Sequence, residues 1–161
     1  MSDEGGLRAV VADDHPWMVG LNHQFVAELS PLDGLRLAAL LREAFYARVS
    51  PPDLGFLITF DQAATYDSEN FLWFRDLRDQ FVYVDRIVVA PHARGRGLSR
   101  LFYEDLFAVA RTAGHDRVVC EVNQNPPNPA SDAFHAALGF AVIGDAQIAS
   151  GKTVAYLEKL L

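Results

Sequence analysis

The stretch Val88-Val89-Ala90-Pro91-His92-Ala93-Arg94-Gly95-Arg96-Gly97-Leu98-Ser99-Arg100 carries the clearest chemical pattern in the chain. An apolar run ends at a proline, two glycines follow, and an amphipathic run begins at Leu98. Glycine lets a backbone take positive φ and approach a ligand closely. The first turn of a helix presents N–H groups without intrahelical partners, at the positive end of the helix dipole. Together they make an anion site suited to phosphates, and Arg94, Arg96 and Arg100 surround it with guanidinium donors. Two common nucleotide loops do not fit. A P-loop needs Lys-Ser or Lys-Thr after the second glycine, where Leu98-Ser99 stands. A dinucleotide fingerprint needs a glycine where Arg100 stands.

Further elements must position this loop. Leu7–Ala12 reads as a strand. Pro16 suits a first helical position, and Trp17, Leu21, Phe25 and Leu29 share helical spacing. Leu35 to Ala44 predicts a second helix, Phe45 to Val49 a strand, and Gly55 to Phe60 a buried strand. Residues 61–79 are rich in aromatics and interrupt the strands, with Ser68 placed to cap a short helix running to Arg78. Phe81–Val89 is a strand whose alternation puts Tyr83, Asp85, Ile87 and Val89 on one face. A helix from Leu98 to about Ala113 has an apolar stripe at Leu98, Leu101, Phe102, Leu106 and Val109, and Gly114 ends it. Arg117–Asn123 is a strand, Gln124–Pro129 a proline-rich loop, and Ala130–Leu138 a short helix. Phe140–Ile148 and Thr153–Leu160 form a hairpin around Ser150-Gly151. Strands alternating with helices predict a mixed α/β layer fold.

The chain of 161 residues reads as one domain, 1–161, with half its residues hydrophobic. No run approaches the roughly 20 apolar residues of a membrane span. The start, Met1-Ser2-Asp3-Glu4-Gly5-Gly6, lacks the basic and apolar regions of a secretory signal. The single cysteine, Cys120, has no partner for an internal disulfide, so a cytoplasmic setting is expected. Net charge is -7, and the whole excess lies in residues 1–93, with 14 acids against 7 arginines. That balance argues against nucleic acid or anionic membrane as a partner and favours a cationic small substrate. Cys120 reads as a core thiol. His15, His23, His92 and His115 show no metal-ligand spacing, and no metal is expected.

The glycine loop resembles the GNAT superfamily of N-acetyltransferases. The family pattern is Gln or Arg, two residues, Gly, one residue, then Gly or Ala; Arg94, Gly97 and Ser99 fall on it, preceded by Pro91. A second family element reads here as Asn128, Ser131, Phe134-His135 and Gly139-Phe140. The resemblance covers 81–140 well and 1–60 by element order, and nothing general in the family matches 61–79. It implies a central mixed, mostly antiparallel sheet, splayed between the fourth and fifth strands and flanked by helices.

It also implies acetyl-CoA, or another acyl-CoA, as cofactor, and transfer of the acetyl group to a primary amine by direct attack in a ternary complex. The pyrophosphate would sit on the amides of Gly95 to Ser99. The pantetheine arm would lie along Ile87-Val88-Val89, in a splay beside Val118–Asn123. Asn128 would hold it from the far side, with Asn125 as the substitute that the long loop allows. A backbone N–H of Ile87–Val89 would stabilise the oxyanion. Asp85 is the first candidate base, where relatives often carry an acid, and Glu121 is the reserve. His135 replaces the tyrosine that many relatives use as acid towards the leaving thiolate. Ser99 adds a hydroxyl near the phosphates. Early helices and the loop before the central strand usually shape the acceptor pocket, so Asn22, His23, Tyr66, Asp67, Asn70, Trp73, Phe74 and Tyr83 are candidates for it. The acceptor is a small-molecule or peptide amine, and the resemblance allows a homodimer. A non-catalytic acyl-CoA sensor or interaction module is the alternative.

Overall fold

The computed structural model describes residues 6–27 and 29–161; the polar start at 1–5 and Glu28 lie outside them. Among the described residues seven strands run in the order β1-β2-β3-β4-β5-β7-β6. They are β1 (Arg8–Ala9), β2 (Tyr46–Ser50), β3 (Gly55–Asp61), β4 (Val82–Val89), β5 (Arg117–Asn125), β6 (Ala141–Gln147) and β7 (Thr153–Leu160). The helices are α1 (His15–His23), α2 (Gly34–Glu43), α3 (Glu69–Leu77), α4 (Leu98–Thr112) and α5 (Pro129–Ala137). This is the mixed, mostly antiparallel sheet with flanking helices that the sequence predicts. The parallel β4–β5 ladder covers only Val82↔Val118 and Tyr83↔Val119, as the expected splay requires. Among the described residues no helix is long and apolar enough to cross a membrane.

The fold resolves into two compact units, 1–60 with 84–108 and 61–83 with 109–161, and the chain passes between them inside β3, β4 and α4. In the first unit β1, β2 and β3 form an antiparallel meander. Every residue from Gly55 to Phe60 is buried, as a continuous apolar strand must be. Asp33 caps α2, its carboxylate accepting from the Arg36 N–H at 2.7 Å. The Tyr46 hydroxyl donates to Asp105 of α4 at 2.5 Å.

The helix predicted through Phe25 and Leu29 ends at His23 instead. Asn22 is fully buried and donates to the Ser30 carbonyl at 3.1 Å. That side-chain bond turns the chain back where helical spacing alone would continue it. The predicted strand at Leu7–Ala12 shrinks to Arg8–Ala9 because Asp14 gathers the segment. Its carboxylate accepts from the Arg8 guanidinium (2.7 and 2.9 Å), the Val11 N–H (2.9 Å) and the Trp17 indole (3.0 Å). These donors, Arg8 foremost, hold Asp14 well below the usual carboxylate range. On α4, Leu98, Phe102 and Leu106 are buried as expected, whereas Leu101 is 40% exposed. Tyr103, Phe107 and Ala110 take its place, so the buried stripe is rotated from the predicted one.

In the second unit β5, β7 and β6 are antiparallel, with register shifts at Asn123/Asn125 and at Val142/Gly144. Ser68 stands at the N-cap of α3 but makes no side-chain cap bond. Arg78 and Arg117 converge on Glu158, at 2.9 and 3.0 Å. Burial pushes this carboxyl up, but the two guanidinium groups outweigh it and hold it below its ordinary value.

Candidate active site

The phosphate-type loop is built in the first unit. β4 ends where β3 begins: the Ala90 N–H donates to the Leu54 carbonyl at 2.8 Å. A Cβ at Gly55 would stand 2.7 Å from the Val88 carbonyl oxygen, so only glycine lets the two strands meet this closely. One helical turn at Pro91–Ala93 follows, and then the two glycines take φ of +78° (Gly95) and +76° (Gly97). Beyond the adjoining residues, no heavy atom of the described residues lies within 4 Å of a Cβ built on either, so glycine is demanded by backbone sign, and the space in front is open. The Leu101 N–H donates to the Gly97 carbonyl at 3.0 Å and closes the first turn of α4. The N–H groups of Leu98, Ser99 and Arg100 precede it and have no carbonyl four residues back within the helix. An open cradle of amides at a helix start, rimmed by exposed Arg94, Arg96 and Arg100, fits a pyrophosphate. The Arg94 guanidinium lies 4.9 Å over the Phe25 ring, and Arg100 pairs with Glu104 at 3.1 Å. On β4, Val88 is buried and Ile87 and Val89 are half-exposed, as alternation predicts.

Asp85 is placed by the same strand, but its carboxylate is taken. Arg86 Nε donates to it at 2.7 Å, and the two side chains are only 4% (Arg86) and 5% (Asp85) exposed. Arg86 also donates to the Asn22 amide oxygen at 3.0 Å and the Ser30 carbonyl at 3.3 Å. Asn22, expected to face the acceptor, is fully buried with both ends of its amide bonded. His23, at the end of α1, is exposed.

The second unit brings together residues the sequence had named separately. Glu121 on β5 accepts from the Tyr83 hydroxyl at 3.0 Å (Oε1) and 2.8 Å (Oε2), and from the Asn70 amide at 3.1 Å. The Tyr156 hydroxyl donates to the other end of the Asn70 amide at 2.9 Å. Burial, then the Glu121 and Glu69 charges, push the Tyr156 phenol up to about 12. Trp73 stacks on the Tyr156 ring, with centroids 4.0 Å apart. Phe71 and Phe74 are fully buried, and Tyr66 meets Phe71 edge-on at 5.5 Å. Sequence reasoning missed Tyr156 because nothing near it in the chain marks it. Its signal is only the hairpin register that sets it opposite Glu121.

On α5 the predicted Asn128 is the N-cap, its Oδ1 accepting from the Ser131 N–H at 3.3 Å. The His135 ring is buried, 5.4 Å from the Phe134 ring and 5.2 Å from the Phe140 ring. Its Nδ1 lies 2.7 Å from the Ser131 carbonyl, which makes Nδ1–H the donor and Nε2 the acceptor. Burial holds this imidazole below its ordinary value, against the pull of the Ser131 carbonyl and Asp132. Cys120 is buried and in no disulfide. An open cleft of about 570 Å³ between α5 and the β6–β7 hairpin, flanked by Asp132 and Asp145, is lined by none of the predicted site residues.

The family model of the acetyltransferase (GNAT) family matches residues 40–140. No curated protein sequence matches the chain. Among solved structures, a ribosomal-protein-alanine N-acetyltransferase from Brucella melitensis superposes with a TM-score of 0.74 at 19% identity, over 97% of this chain and 99% of that one. Ard1 from Thermoplasma volcanium gives 0.76 at 13% identity, over 98% of each chain. The Salmonella typhimurium protein yncA, solved with its cofactor acetyl-CoA, gives 0.71 at 20% identity, over 97% of this chain and 93% of that one. At these identities the superpositions show a shared fold.

Proposed function

The chain belongs to the acetyltransferase (GNAT) family of acetyl-CoA-dependent enzymes, and on that premise we propose that it acetylates a primary amine by direct attack, with Glu121 as the base. Acetyl-CoA supplies an acetyl thioester already activated for transfer. The amides from Gly95 to Ser99 bind its pyrophosphate, and the main-chain N–H groups of Ile87–Val89 are the donors for the thioester oxygen. The observation that carries the reading is the open, positive-φ glycine pair ahead of α4.

The acceptor arrives as an ammonium and must lose a proton before its nitrogen attacks. We assign that proton to Glu121 and not to Asp85, because Asp85 is held in a buried pair with Arg86. The N–C bond forms, the tetrahedral oxyanion collapses and the C–S bond breaks; the nitrogen sheds its second proton to solvent as the CoA thiolate takes one from solvent, and the first proton leaves Glu121 for bulk water. His135 is not given the acid role: a buried imidazole with its Nδ1–H spent on Ser131 presents an acceptor, not a proton. An alkyl or aromatic amine and a peptide α-amine both satisfy this chemistry.

The test has two stages. Acetyl-CoA at about 100-fold over its Kd should stabilise the chain by roughly 2.7 kcal/mol, and Gly97→Glu should abolish the shift. CoA release is then followed with a panel of small amines and short peptides with free N-termini. A wild-type chain whose melting point ignores acetyl-CoA would sink the reading.

A further inference from the structure

α3 lies in the one segment, 61–79, that no sequence motif explained, and its first turn reaches the carboxylate assigned above as base. We propose that Asn70 is a positioning residue for Glu121, fixing the carboxylate of β5 from a helix that β6 and β7 hold in place. The inference rests on the reading of Glu121 as base.

The argument begins with register. Glu121 of β5 pairs with Tyr156 of β7, and Tyr156 pairs with Gly144 of β6, so the three form one row across the sheet. Tyr156 supplies a ring, and Gly144 supplies no side chain at all. A Cβ at Gly144 would stand 2.7 and 2.9 Å from carbons of the Trp73 indole. The bare position therefore lets Trp73 lie flat on Tyr156, at 4.0 Å and 15° between planes. At the start of the same helix, Glu69 accepts from the Ala149 N–H of the hairpin turn at 3.0 Å. α3 is thus held at two points, and Asn70 lies between them in sequence.

The polarity of the Asn70 amide is then dictated by its partners. An ionised carboxylate only accepts, so the amide nitrogen must face Glu121, at 3.1 Å. The amide oxygen must then face Tyr156, whose hydroxyl donates at 2.9 Å. The raised Tyr156 phenol keeps that proton at any working pH. Glu121 Oε1 receives both the Asn70 amide and the Tyr83 hydroxyl, which fixes the carboxylate plane from two sides. Donors to the charged form also set how readily the carboxylate takes a proton.

The experiment titrates the Glu121 side-chain carboxyl by ¹³C NMR on the full chain, assigned by its loss in Glu121→Gln, and needs no acceptor. Removing the donor in Asn70→Ala should move the Glu121 midpoint upward. Asn70→Asp, which sets a second carboxylate against the first, should move it further. Tyr156→Phe keeps the aromatic stack and should give the smallest upward shift, so it remains informative if the Asn70 variants fold poorly. Midpoints equal to wild type in folded Asn70→Ala and Tyr156→Phe would overturn the proposal, even with a lowered melting temperature, since a purely structural Asn70 predicts that pattern. CoA release by Glu121→Gln separates the two claims. Wild-type turnover there sinks the base reading, while the titrations still report on Asn70.

Discussion

Asp85 and Glu121 are both carboxylates on strands, and their surroundings could hardly differ more. Asp85 is locked to Arg86 in a buried pair that Asn22 and Ser30 extend. Glu121 accepts from a phenol and an amide. A guanidinium at 2.7 Å occupies the Asp85 carboxylate inside the first unit. Neutral donors orient a carboxylate without cancelling its charge. A carboxylate on the expected face of a strand is therefore only a candidate, and the proposal of Glu121 as base rests on the partners each carboxylate meets.

The largest expected effect breaks the comparison directly. Glu121→Gln should lower CoA release by about 10²–10⁴-fold while keeping the acetyl-CoA melting shift. A folded Asp85→Asn should stay near wild-type turnover, and the reverse pattern would exchange the two roles. Stability should sort the pair the other way. Asp85→Asn leaves Arg86 buried without its anion and should cost about 3 kcal/mol in urea unfolding. Glu121→Gln retains an acceptor for Tyr83 and Asn70 and should cost about 1 kcal/mol or less.

The two crowded glycines sharpen the contrast. Gly55→Ala and Gly144→Ala should each cost roughly 1–3 kcal/mol. Only Gly144→Ala should disturb the Trp73–Tyr156 stack in near-ultraviolet circular dichroism, because its Cβ meets the indole, whereas that of Gly55 meets backbone. The smallest effect is a slope. An unfolded imidazole takes a proton near 6.5, whereas buried His135 resists it. Its stabilising contribution is present above that value and is lost as pH falls below it. Melting temperature should therefore drop between pH 7 and 5, and His135→Gln should flatten that drop. Glu158, held low, loses its contribution only further down, as pH falls through the carboxylate range.

Much of the fold is legible because it is local. Asp33 marks the start of α2, Gly114 and Gly139 take the positive φ that ends a helix, and the hairpin turns near Gly151. Phe25 misled because helical spacing cannot foresee a buried Asn22 that bonds Ser30. The resemblance places Asn128 beside the pantetheine arm, and the structure adds that its side chain caps α5. Leu101 was assigned to the buried stripe of α4, and rotation of that face leaves it exposed.

The sequence alone determined the donor loop. Strand end, glycine pair and helix start are consecutive, and their backbone sign and unpaired amides follow from residue type. Only tertiary structure shows which partners each of the two carboxylates meets. The partners of Glu121 stand 38 and 51 residues away along the chain, and Tyr156 bonds Asn70 across 86. No local rule encodes which donors a folded sheet will bring to one oxygen, because that choice is made by strand register and by the space that Gly144 leaves open.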